Sequence, residues 1–181
     1  WRGRIAGEDG AGAAAQAAAL FGGATDWGLR RMALHYARIA AEEGADGLLI
    51  GSEMRGLTWT RDAAGGFPAV DQFRTLAAEG RAVVGPGVAL SYAAGWSEYF
   101  GRQAEGEVLF PLDPLWADPN IDHGSIDWYP PLTDWREGEG GVDADRFAGP
   151  ADPAYLAAGV AGGEGFDWYY ASEADRAAQV R

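Results

Sequence analysis

The chain has no cysteine, which removes disulfides, thiolate metal sites and cysteine nucleophiles and leaves cytosol and exterior equally open. It has no lysine either: its 14 basic residues are all arginine, against 27 Asp and Glu, for a formal charge of −13. A phosphate backbone calls for the opposite sign, so neither nucleic acid nor an anionic membrane is a suitable partner. No apolar run approaches the roughly 18 residues of a membrane span, and no signal-peptide pattern is visible. There is no Gly-x-Ser-x-Gly elbow, because Ser52 is followed by Glu53 and Met54. The glycines at Gly10 and Gly12 imitate a dinucleotide fingerprint. No strand precedes them, however, and Glu8 and Asp9 would repel a pyrophosphate. Asp113, Asp118 and Asp122 lack the alternation of a calcium loop. No metal or cofactor is called for.

What remains is a hydrophobic fraction of 48% over 181 residues, enough for one sizeable core. The chain starts on Trp1, and its last stretch, residues 171 to 181, is helix-like without a terminating Gly or Pro. It therefore reads as a piece of a longer polypeptide, one domain throughout.

The most informative stretch is residues 45 to 55, where the apolar run Gly47-Leu48-Leu49-Ile50 ends abruptly at Glu53. Such a run reads as a parallel strand covered on both faces, and a carboxylate just past its C-terminal end sits where parallel α/β folds place their chemistry. Before it, Ala13 to Leu20 reads as a short helix. Thr25 or Asp26 would cap a second over roughly 27 to 43, with Leu29, Met32, Ala33, Tyr36 and Ala40 buried, Arg31, His35, Arg38 and Glu42 solvated, and Gly44 as the stop.

The cycle then repeats. Pro68 opens a helix with Val70, Phe73, Leu76 and Ala77 as its buried stripe, ending near Gly85-Pro86-Gly87. Val88 to Tyr92 is the next strand, and residues 96 to 118 are irregular or helical. Ile121 to Tyr129 is a third strand, holding His123 and stopped by Pro130-Pro131. Residues 136 to 165, heavy in Gly, Pro and acid, read as a long excursion loop. The alternation means a parallel α/β architecture, and three strands account for only three or four β/α units of an eight-stranded barrel.

Carboxylates and aromatics gather at the strand ends: Glu53 and Arg55; Trp96, Glu98 and Tyr99; Asp127, Trp128 and Tyr129, followed by Asp134 and Trp135. This mixture suits a carbohydrate, since aromatic faces cover the C–H faces of sugar rings while carboxylates accept hydrogen bonds from hydroxyls. Glu53 is the candidate catalytic group, and Arg55, Trp96, Glu98, Tyr99, Asp127, Trp128, Tyr129 and Trp135 the candidate substrate contacts. The plainer alternatives are a salt bridge from Glu53 to Arg55 or another Arg, and structural hydrogen bonds at Asp127. Trp116, Trp168, Tyr169 and Tyr170 read as packing, and Glu164 as a weak candidate.

Four ordered segments carry a resemblance: Ile50-Gly51-Ser52-Glu53-Met54-Arg55-Gly56-Leu57, then residues 92 to 100, 112 to 122 and 162 to 170. Together they resemble the glycoside-hydrolase TIM-barrel-like domain of gene transfer agent and phage tail host specificity proteins, through essentially the whole chain. The resemblance implies a partial (β/α)8 barrel related to retaining glycosidases. Glu53, in its Gly51-Ser52-Glu53 context, would be the general acid/base, with a nucleophilic Glu beyond residue 181. It further implies a cell-surface or cell-wall glycan as substrate, other tail or baseplate proteins as partners, and a place in the tail of a phage-like particle. The chain departs from the pattern around the third strand, where His123, Gly124 and Ser125 interrupt an apolar run and Trp128 replaces an expected Asn. The rival readings are a non-catalytic carbohydrate-binding or structural tail-tip module, and an unrelated α/β domain.

Overall fold

The computed structural model describes residues 5–104, 106–136, 138, 141–162 and 169–181. The chain divides into two compact units, Trp1–Trp128 and Tyr129–Arg181.

The first unit begins with helices α1 (Ala13–Phe21) and α2 (Leu29–Glu42). The expected cap of α2 is absent: Gly28 occupies that position without a side-chain bond, and Asp26 turns back to accept the Gly23 N–H at 2.7 Å. The expected buried stripe is turned by part of its width. Ala40 is buried and Leu29 and Ala33 pack against the core as expected, but Leu34 and Ala37 are buried while Met32 and Tyr36 are exposed. Arg30 sets this rotation, reaching Glu79 and Gln72 of the helix packed alongside, and the small alanines let the two helices approach closely. Gly44, at φ 67, ends α2 as expected, while the Ala45 N–H closes back on Ala40 O at 2.9 Å.

Strand β1 (Gly47–Ser52) follows, then the short helix α3 (Arg55–Thr58) and the long helix α4 (Pro68–Val84). The reading of α4 holds in detail, with Pro68 in its first turn and Val70, Phe73, Leu76 and Ala77 buried. Strand β2 (Ala89–Gly95), helix α5 (Trp96–Tyr99), the antiparallel pair β3 (Arg102–Ala104) and β4 (Glu107–Leu109), helix α6 (Asp113–Trp116) and strand β5 (Ser125–Asp127) complete the unit. The hairpin lies in the stretch expected to be irregular or helical.

Strands β1, β2 and β5 form one parallel sheet in the order β1-β2-β5, and among the described residues β3 pairs only with β4. One face of the sheet carries Ile50, Leu90, Tyr92 and Ala94 into the core with α4, where Phe73 meets Phe21 and Tyr92 at ring-centroid distances of 4.9 Å each. Removing such a ring costs about 3–5 kcal/mol. The other face carries Leu49, Ser91 and Ser125, and Ser125 Oγ donates to Ser91 Oγ at 2.9 Å. Leu49 is 51% exposed there, so β1 is not covered on both faces as its apolar run suggested.

The third strand is shorter than the sequence indicated, because a side chain replaces a rung of its ladder. Asp122 Oδ2 accepts the Leu90 N–H at 2.6 Å, and Arg81 of α4 holds both Asp122 and the carbonyls of Gly85, Val88 and Asn120. His123 precedes the strand, and its carbonyl accepts from Ser91 Oγ at 2.6 Å.

In the second unit, residues 136 to 165 are not simply a loop: they hold a 3-10 turn at Gly141–Asp143 and helix α7 (Pro153–Ala161). Asp152 caps α7 by accepting the Ala154 N–H at 2.9 Å, with Pro153 at its first position. Buried Tyr155 donates to Asp143 at 2.5 Å, and Arg181 donates to the same carboxylate at 2.6 Å. The closing helix α8 (Glu173–Ala178) is capped by Ser172 and stopped by Gln179 in a left-handed conformation. Tyr170 is partly buried and donates to Asp134, whereas Tyr169 is exposed. Glu164 and Trp168 lie outside the described residues.

Candidate functional site

The C-terminal ends of the three parallel strands bring the first unit's candidates together. A bulge in β1 decides which side chains share a face. Leu49 pairs with Ser91 but Ser52 pairs with Ala93, so Ile50 and Gly51 together oppose Tyr92. A slip of one residue in register exchanges the faces of everything beyond it. Ser52 is thereby turned to the polar face, where its Oγ donates to Asp127 Oδ2 at 2.6 Å. Gly51 is turned to the core instead, and a Cβ there would stand 2.8 Å from the Phe73 ring and 3.0 Å from that of Tyr92. Only glycine fits.

Glu53 follows at once, with φ 53, in the left-handed region that non-glycine residues enter at a cost of about 1–2 kcal/mol. Strain of this kind persists only where surrounding contacts impose it, and it clusters at functional positions. Here the contacts are on both sides: the Glu53 N–H donates to Ala93 O and the Met54 N–H donates to the Tyr92 hydroxyl, both at 2.9 Å. The Glu53 side chain is half-buried, near enough to Glu98 for the two charges to oppose each other. Arg55 is engaged elsewhere, donating to Ser97 Oγ at 3.0 Å with its guanidinium over the Trp59 ring.

Glu98 lies beneath this surface. It is 1% exposed and accepts from Thr58 Oγ1 at 2.5 Å, Tyr92 OH at 2.9 Å and the Gly95 N–H at 3.1 Å. Burial pushes its carboxyl above the usual carboxylate range, with the three donors and the nearby Glu53 as smaller influences. Burial likewise pushes the Tyr92 hydroxyl up.

The aromatic candidates form a connected strip. Trp96 meets Phe100 at 5.8 Å, Tyr99 meets Phe100 at 5.7 Å and Trp116 at 6.3 Å, and Phe100 meets Trp128 at 6.4 Å. Trp96, Tyr99 and Phe100 keep about two-fifths of their surface open, while Trp116 packs against the core as expected. Tyr129 and Trp135 belong to the second unit, Tyr129 exposed and Trp135 with its ring 6.2 Å from Tyr155. Sequence reasoning missed Ser52, Thr58, Tyr92 and Phe100. A tyrosine in a buried strand was the one visible signal, since its hydroxyl needs a partner.

Among the described residues no group of His, Asp and Glu is arranged to hold a metal ion, and no helix is long and apolar enough to cross a membrane. A three-stranded parallel sheet with helices packed on it, carrying a strained carboxylate, a buried second one and open aromatics at its strand ends, makes this a mixed α/β protein. Comparison with known families makes this specific: the model of the GTA TIM-barrel-like domain, the domain of gene transfer agents, matches residues 27–181, and the chain belongs to that family. No curated protein matches the chain.

Proposed function

We propose that this chain forms part of a (β/α)8 barrel that hydrolyses cell-surface or cell-wall glycan at the tail of a phage-like particle, with Glu53 as general acid/base. The observation that carries the reading is the left-handed backbone of Glu53 at the end of β1, held from both sides by β2. A half-buried carboxylate kept in a costly conformation needs a reason, and a proton-transfer group at a parallel-strand end supplies one.

In a double displacement, Glu53 protonates the leaving glycosidic oxygen and afterwards takes a proton from the attacking water. The nucleophile is a second carboxylate outside these 181 residues, about 5–5.5 Å from Glu53 if configuration is retained. Trp96, Tyr99 and Trp128 offer ring faces to the sugar, and Arg55 and Asp127 offer polar contacts. Tyr129 and Trp135 carry the same chemistry within their own unit. The domain would work among other tail or baseplate proteins.

The test is glycan hydrolysis by the whole protein that contains this chain, before and after Glu53→Gln. General acid/base action contributes about 10² to 10⁴ in rate, or about 3–5 kcal/mol of barrier, so kcat should fall by that factor. Activity on envelope glycan that Glu53→Gln leaves unchanged sinks the reading. The open strip of Trp96, Tyr99 and Phe100 favours a second reading, a glycan-binding module without turnover; it predicts saccharide binding weakened by Trp96→Ala in a protein that hydrolyses nothing.

A further inference from the structure

A line of hydrogen bonds runs from the core to the residue after Glu53. Glu98 Oε1 accepts from the Tyr92 hydroxyl at 2.9 Å, and that hydroxyl accepts the Met54 N–H at 2.9 Å. A phenol has one proton and points its lone pairs where that proton does not go. Because Glu98 takes the proton, the hydroxyl must turn an acceptor toward Met54. An apolar residue at position 98 would fill the space and leave the hydroxyl free to rotate away. Thr58 and Gly95 hold Glu98 in turn, from α3 and from the end of β2, and the low dielectric of the core strengthens each link.

Glu53 therefore sits between two backbone N–H groups that are both tied to β2, its own to Ala93 O and the next one to Tyr92. These two ties bracket the φ of 53. We infer that Glu98 is a positioning residue: through Tyr92 it fixes the Met54 N–H, and so the left-handed backbone that aims Glu53. This rests on the reading of Glu53 as the acid/base. It also gives Glu98 a role other than touching sugar, from which its burial excludes it.

Two measurements test it on the protein that contains this chain. Amide exchange reads the tie directly. The Met54 amide should be protected in the unaltered protein and should exchange about tenfold faster or more in Tyr92→Phe, with the Glu53 and Met54 amide resonances displaced. Glu98→Gln keeps an acceptor for Tyr92 and should retain more protection at Met54 than Glu98→Ala. The second measurement is kinetic: Tyr92→Phe should lower kcat with little change in KM, because the sugar contacts are untouched while the acid is misaimed.

Unprotected Met54 in the unaltered protein overturns the inference even if every core variant fails to fold. So does unchanged protection at Met54 in Tyr92→Phe. Protection lost in Tyr92→Phe, in a protein that hydrolyses no glycan, upholds the tie and removes the catalytic reading alone.

Discussion

Ser52 Oγ donates to Asp127 Oδ2 at 2.6 Å, so the ends of β1 and β5 are joined by their side chains across the end of β2. Neither residue could reach the other without the bulge that turns Ser52 onto the polar face. The bond closes the frame from which Glu53 projects.

Ser52→Ala and Asp127→Ala should each destabilise the fold, and the double variant should cost less than the sum. A coupling of about 0.5–3 kcal/mol is expected for partners in direct contact, read from urea midpoints of the two single variants and the double. Strict additivity would mean that the bond contributes nothing in solution.

Glu53→Gly separates stability from activity. Glycine enters the left-handed region freely, at an entropic cost smaller than the strain it relieves. The variant should be more stable than Glu53→Ala, which lacks the same side-chain contacts, by about 0.5–1 kcal/mol, while both lose whatever hydrolysis the parent protein shows. Denaturant midpoints of the two variants check the first outcome, and equal midpoints would show that the backbone at position 53 is not strained.

Gly51→Ala should destabilise by about 1–3 kcal/mol, the range for overfilling a packed core, because its Cβ would meet Phe73 and Tyr92 at 3.0 Å or less. The neighbouring Ser52→Ala adds no atoms and should lack this component. Thermal melts of the two variants side by side distinguish overfilling from loss of the Ser52 bond.

Glu98 gives the fold a pH dependence of definite sign. Burial first, opposed by its hydrogen bonds, leaves its carboxyl above the ordinary value of 4.5. Between that value and its native one, the folded state holds a proton that the unfolded chain has released. Stability therefore falls as pH rises through this window and levels off above it. Asp143 acts oppositely: the Arg181 hydrogen bond holds it low, and its contribution disappears as pH drops below about 3.8. Glu98→Gln should flatten the fall above pH 4.5 without altering the acid limb. Urea midpoints taken from pH 3 to 8 show whether it does.

Helix α4 was legible because its signals are local: Pro68 opens it and its apolar spacing matches one face. The position of Glu53 past a strand was legible for the same reason. The face of α2 was legible only at Leu29, Ala33 and Ala40, because Arg30 fixes the helix's rotation through Glu79 and Gln72, more than 40 residues away. Nor could periodicity reveal the bulge at Ile50 and Gly51, since it exists only against β2. Glu98 read as a substrate contact beside Trp96 and Tyr99. Its burial depends on Thr58 and Tyr92, neither of which looks like a partner in the sequence. The Asp152-Pro153 start of α7 was written in the chain, and the surrounding glycines and acids concealed it.

The three-strand sheet has one further practical meaning. With β2 in the middle, β1 and β5 each present a flank that no other strand among the described residues pairs with. Bare backbone rims recruit whatever extended polypeptide is offered, including another molecule of the same kind. Anyone preparing these 181 residues by themselves should watch the size distribution as concentration rises before interpreting any binding curve.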